Sequence, residues 1–202
     1  DIDLAHLELA HVDLVRRLIR GQSFRRYLID HCYPIAIDGS QKLAGDTLWA
    51  EQLLQRTVGK EESRHTQYFV YVLEASLAFH NGLVIPLLSE FLEHALGDSE
   101  AEKQDCELRA FVRLSERLKT LFPRLPILLL LDGLYANGPV MQRCHANHWQ
   151  FMIVLKDKDL PSVWQEFNAL QALQPQTLPQ TWGKRRQHFS WANDIDYAFG
   201  PN

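Results

Sequence analysis

Two short apolar runs in this chain each end on an aspartate followed by glycine: Ile35-Ala36-Ile37-Asp38-Gly39 and Ile127-Leu128-Leu129-Leu130-Leu131-Asp132-Gly133. A buried strand that ends on a carboxylate carries it to the carboxyl edge of a sheet, where open α/β sheets build their sites. Two such strands side by side hold two acids near each other, and nearby acids repel unless a cation lies between them. That is the simplest way to hold Mg²⁺, or Mn²⁺ in its place, for phosphoryl chemistry. The expected fold class is α/β.

Composition narrows the alternatives. A chain of 202 residues suffices for one domain with a sizeable core, or one domain with an appendage. With 46% hydrophobic and 23% charged residues it belongs with ordinary globular proteins rather than disordered ones. The formal net charge of -4 is not that of a nucleic-acid binder, so contact with nucleic acid must come from local basic patches or a metal. Cys32, Cys106 and Cys144 are widely spaced and form no CxxC pair, which argues for a reducing compartment, the cytoplasm, and against a disulfide framework or zinc site. No run of about 18 apolar residues is free of charge, so no membrane span is expected. The start, Asp1-Ile2-Asp3-Leu4, is not a signal peptide and lacks an initiator methionine, which predicts a fragment or a trimmed chain.

Along the chain, residues 1–30 read as helix, with Leu4, Leu7, Leu14, Val15, Leu18 and Ile19 at helical spacing. Arg16, Arg17, Arg20, Arg25 and Arg26 make it the most basic segment, either a solvated face or a DNA-facing arm. Residues 34–38 read as a short buried strand, and 39–66 as mixed helix and loop. A strand over 68–79, an Asn81-Gly82 turn and a returning strand over 83–88 form a hairpin. Residues 102–121 read as helix, with an apolar stripe at Leu108, Phe111, Leu114, Leu118 and Leu121, ended by Pro123 and Pro126. The strand 127–131 is unbroken in apolarity and so buried on both faces. A helix over 138–148 with Pro139 in its first turn, a buried strand over 151–155 and a short helix over 161–170 follow. The order is β-β-β-α-β-α-β-α, with the first strand beside the fourth. In the tail, Pro175 and Pro179 act as breaks, Lys184, Arg185 and Arg186 are basic, and Phe189, Trp191 and Tyr197 alternate with polar residues as in an antiparallel strand.

Each acid has a plainer explanation. Asp38 and Asp132 each stand in an Asp-Gly pair, a common turn, but both point the same way if their strands are neighbours. Glu107 stands near the start of the long helix, where the helix dipole alone favours an acid; alternatively it leans over the two strand ends as a further ligand. Asp105 fits a helix N-cap. Glu74, in a strand, is expected to face solvent. His145 and His148 lie three apart without a third zinc ligand nearby. There is no GxSxG, P-loop or GxGxxG.

The strand order, with an acid ending strands one and four, resembles the ribonuclease H-like fold. The wording goes further and resembles the DDE transposases of bacterial insertion sequences, in YPIAIDGSQK (33–42), TQYFVYVLEASLAFHNGLVIPLLSEFLE (66–93), KQDCELRAF (103–111), FPRLPILLLLDGLYANGPV (122–140) and FMIVLKDKDLPSVWQEF (151–167). The resemblance implies a helical segment over 1–30, a catalytic core over 31–170 and the start of a β-rich insertion over 171–202. It implies two aspartates and a glutamate holding two divalent cations, a homodimer as the active complex, and transposon-end and target DNA as partners. Asp38 and Asp132 match the two aspartates. The family's glutamate motif of Tyr, Arg, Glu and Lys is not found, so the third carboxylate is expected to be missing from this fragment. Glu107 stands where ribonuclease H itself carries a helix glutamate. Lys156, Lys158, Lys184, Arg185 and Arg186 follow the last core strand or lie in the tail, and are the candidates for phosphate contact. Two rivals remain. A Mg²⁺-dependent phosphohydrolase with an aspartyl nucleophile usually has a second aspartate two residues on, where this chain has Ser40. A non-catalytic remnant that binds DNA or dimerises is the other.

Overall fold

One strand organises the molecule. The computed structural model describes residues 3–50, 53–92 and 100–197. In it β1 (Tyr33–Gly45) pairs in parallel with β5 (Ile127–Leu131) on one side and antiparallel with β3 (His65–Ala78) on the other. The far edge of β3 is shared by β2 (Leu54–Val58) along its first half and β4 (Val84–Phe91) along its second. β6 (Gln150–Ile153) lies parallel to β5 at the opposite edge. The result is a six-stranded mixed sheet ordered β2-β3-β1-β5-β6, with β4 also on β3.

Among the described residues four α-helices accompany the strands: α1 (Leu4–Arg20), α2 (Glu100–Leu121), α3 (Gly138–Asn147) and α4 (Pro161–Leu173). The stripe expected on α2 is the one buried: Phe111, Leu114 and Leu118 are at most 1% exposed, and Ala110 joins them. They meet Ile35, Ile37, Leu73, Ala75 and Leu77 of β1 and β3 in one core cluster. Alternation along β1 and β3 sends those side chains to a single face, and their burial is the main force holding α2 on the sheet. β5 is buried at every residue but Leu130, which is part-exposed, close to what its unbroken apolar run predicts.

Several expectations need correction. The strand at 34–38 runs on to Gly45, bending at an irregularity between Gln41 and Leu43. The stretch 39–66 holds a strand, β2, so among the described residues four strands precede α2 rather than three. β6 is not buried but a half-exposed edge, with Met152 56% exposed. Among the described side chains of α1 the buried ones are Val12 and Val15, while Leu7 and Leu14 face outward. α2 begins at Glu100, so Asp105 lies inside it and is not its N-cap. The side chains of Asp105 and Cys106 lie outside those described.

The hairpin at 79–83 turns as Asn81-Gly82 requires: Gly82 has φ +84 and donates to the Phe79 carbonyl at 2.9 Å. In the tail, β7 (Gln176–Trp182) and β8 (Arg185–Trp191) form a separate two-stranded sheet, exposed almost throughout. Pro179 lies inside β7 rather than breaking it, which is permitted because every strand of a two-stranded sheet is an edge. Tyr197 lies beyond β8. Among the described residues no helix is long and apolar enough to cross a membrane.

Candidate active site

β1 and β5 part company at one point, and a cleft opens there. Their last registered pair is Ala36 with Leu130. Two residues beyond that pair come Asp38, within β1, and Asp132, the first residue after β5, and both line one cleft. β1 continues alongside β3, whereas β5 turns off into a short 3₁₀ turn at Gly133–Tyr135. Both aspartates are held by the backbone: Asp38 Oδ1 accepts from the Gly39 amide at 2.9 Å, and Asp132 Oδ1 from the Leu134 amide at 2.9 Å. The Asp-Gly turn chemistry read from sequence is therefore present, and it fixes the direction of carboxylates that share one cleft.

That cleft has a volume of about 590 Å³, and Asp38, Glu107, Asp132 and Asp159 all line it. Glu107 lies two turns into α2, past the first turn where the helix dipole would account for it. It accepts a hydrogen bond from the hydroxyl of Tyr71 on β3. Burial, then Glu107, then Asp38 and Asp132 push the Tyr71 phenol up to about 12. Burial and the same three carboxylates raise Tyr135 as well. The two phenols thus register a concentration of negative charge at one place.

The chain matches no family model and no curated protein. What the site suits must be judged from its own groups.

Four carboxylates and one ammonium, Lys156, line the cleft. Lys156 Nζ stands 3.2 Å from Asp132 Oδ2, and its amide donates to Asp159 Oδ2 at 2.7 Å. All-oxygen, strongly anionic surroundings suit Mg²⁺ or Mn²⁺. Among the described residues no three His, Cys, Asp or Glu side chains converge as a ready ligand set. Mg²⁺ is commonly held by one or two carboxylates, with phosphate and water completing its shell. Asp38 and Asp132 fit a divalent cation on those terms, and the buried Tyr135 hydroxyl, which has no partner, marks the same wall as polar and unsatisfied. His145 and His148 form no zinc site: the ring of His145 packs edge-on to Phe151, and His148 is the left-handed C-cap of α3.

Of the five basic candidates only Lys156 lines the cleft. Lys158 is exposed on the connection between β6 and α4, and Lys184, Arg185 and Arg186 lie exposed on the β7–β8 hairpin. Glu74 faces its cross-strand partner Asp38 and is only part-exposed, neutralised by an ion pair with Lys42. Sequence reasoning passed over Tyr71, Tyr135 and Asp159. Tyr71 reads as an ordinary strand aromatic and Asp159 as one acid of a charged loop. Only Tyr135, three positions after Asp132, carried a positional hint.

Proposed function

We propose that this chain carries a ribonuclease H-like core of the DDE transposase type, which cleaves and joins DNA at the ends of an insertion sequence by metal-dependent phosphoryl transfer. The observation that carries the reading is that Asp38 and Asp132, each two residues past the last paired residues of two adjoining parallel strands, line one cleft with Glu107. Leaving β2 aside, the sheet order β4-β3-β1-β5-β6 sets the two acids at the ends of the first and fourth strands, the feature from which the resemblance starts.

A divalent cation held by Asp38 and Asp132 supplies positive charge for a phosphate and a lowered pKa for a water or a 3′-hydroxyl. The rest is the work of this chain. The Gly39 and Leu134 amides keep the two carboxylates aimed before DNA arrives, so little reorganisation is left for the reaction itself. Tyr71 holds Glu107, which on this reading stands in for the family's third carboxylate. Lys156 offers an ammonium to a phosphate oxygen. Lys158, Lys184, Arg185 and Arg186 add sequence-independent phosphate contacts that position the duplex. The partners are transposon-end and target DNA, the active complex is a homodimer, and the setting is the cytoplasm.

The test is Mn²⁺-dependent nicking of a supercoiled plasmid carrying the element's end. Asp38→Asn and Asp132→Asn are each expected to slow nicking on the order of 100-fold or more. Full activity in both variants overturns the assignment.

A further inference from the structure

Tyr135 is 2% exposed, and its hydroxyl has no hydrogen-bond partner. Buried hydroxyls are nearly always bonded, and an exception asks for a reason. Trp149 Nε1 is the other such atom among the described side chains, and Trp149 does not line the cleft.

Two contacts fix where Tyr135 sits. Its amide donates to the Asp132 carbonyl at 3.1 Å, which ties it to the turn that carries that aspartate. Its ring packs against Phe111 with centroids 5.2 Å apart. Phe111 lies one turn beyond Glu107 on the same face of α2. The phenol therefore stands between the Asp132 turn and the Glu107 face of the helix. All three carboxylates act on it, Glu107 more strongly than Asp132 or Asp38. Tyr135 lines the cleft together with these carboxylates, and its hydroxyl is bonded to none of them. Glu107 meanwhile takes its bond from Tyr71. One carboxylate faces two phenols, and one of the two is spare.

We propose that Tyr135 is a positioning residue: its hydroxyl is the donor that fixes Glu107 when a cation in the cleft draws that carboxylate away from Tyr71. This rests on the reading that the cleft takes a divalent cation. Tyr71 belongs to β3, whereas Tyr135 belongs to the turn of Asp132, so the exchange passes Glu107 from a partner on a strand to a partner in that turn. A partner beyond the ligands that orients a carboxylate commonly changes metal affinity by about 10-fold or more.

The experiment titrates Mn²⁺ into the purified protein and follows water-proton relaxation, beside thermal melts. Tyr135→Phe keeps the ring on Phe111 and deletes only the unpaired hydroxyl, so its melting temperature is expected to equal or exceed the parent's. Its Mn²⁺ affinity is expected to fall about 10-fold. In a Glu107→Gln background the same change is expected to do nothing further, because Tyr135 works through that carboxylate. Equal Mn²⁺ affinity in Tyr135→Phe and the parent overturns the proposal, as does a full loss that persists with Gln at position 107. A parent that binds no Mn²⁺ brings down the cation reading itself, and this proposal with it.

Discussion

Lys156 reaches over the end of β5 to Asp132, Nζ 3.2 Å from Oδ2, and so sets an ammonium against an oxygen that the proposed cation would take. The pair is exposed, with side chains 69% and 51% accessible, so it adds less than about 1 kcal/mol to stability. Lys156→Ala is accordingly expected to melt within a few degrees of the parent. Without the competing ammonium, Mn²⁺ affinity should rise several-fold by calorimetry. Affinity for DNA, read by fluorescence anisotropy, should fall, and the slope of log affinity against log salt should become shallower by about one. Unchanged Mn²⁺ binding would show that the ammonium does not compete.

Gly133 is glycine because of what lies beside it. A Cβ there would stand 2.1 Å from Asp159 Oδ2, although the backbone is not in the left-handed region. Gly133→Ala must expel the Asp159 carboxylate from the Lys156 amide, at a cost of about 1–3 kcal/mol. Combining it with Asp159→Ala removes the clash, so the double variant should recover part of that loss in a denaturant melt. A double variant no better than Gly133→Ala would mean that the strain lies elsewhere.

Tyr71 makes alkaline stability partly a matter of the cleft. Its phenol, ordinarily near 10, is held up to about 12 by burial and then by Glu107. Because the folded value is the higher one, its contribution is complete below pH 10. It declines as the pH climbs toward 12, where the unfolded chain has released a proton that the fold retains. Tyr71→Phe should flatten the fall in stability over pH 10–12 and remove one late-ionising phenol from the absorbance titration. A titration curve identical in its late phase to the parent's would contradict this.

How legible was the fold? The hairpin at Asn81-Gly82, the stripe on α2 and the buried run of β5 are each announced by local pattern, and each forms as read. β2 was not, because Leu54–Val58 is a short edge strand whose polar residues look like loop until β3 lies beside it. The apolar run of β6 predicts burial but does not say whether its strand has one neighbour or two, and among the described residues β6 has only β5. On α1 a run rich in leucine offers several faces, and only the packing selects the one bearing Val12 and Val15.

The candidate site divides in the same way. The order of residues alone determines that two carboxylates end two apolar strands and that each is steadied by its own following turn, since those are interactions over one or two positions. Tertiary structure decides that Asp38 and Asp132 share one cleft, that Glu107 lies beyond the reach of its helix dipole, and that Tyr71, Tyr135 and Asp159 line that cleft. These depend on strand register and on the seating of α2. Both are settled by burying one sheet face against Phe111, Leu114 and Leu118, a sum over distant residues that no local stretch of chain contains.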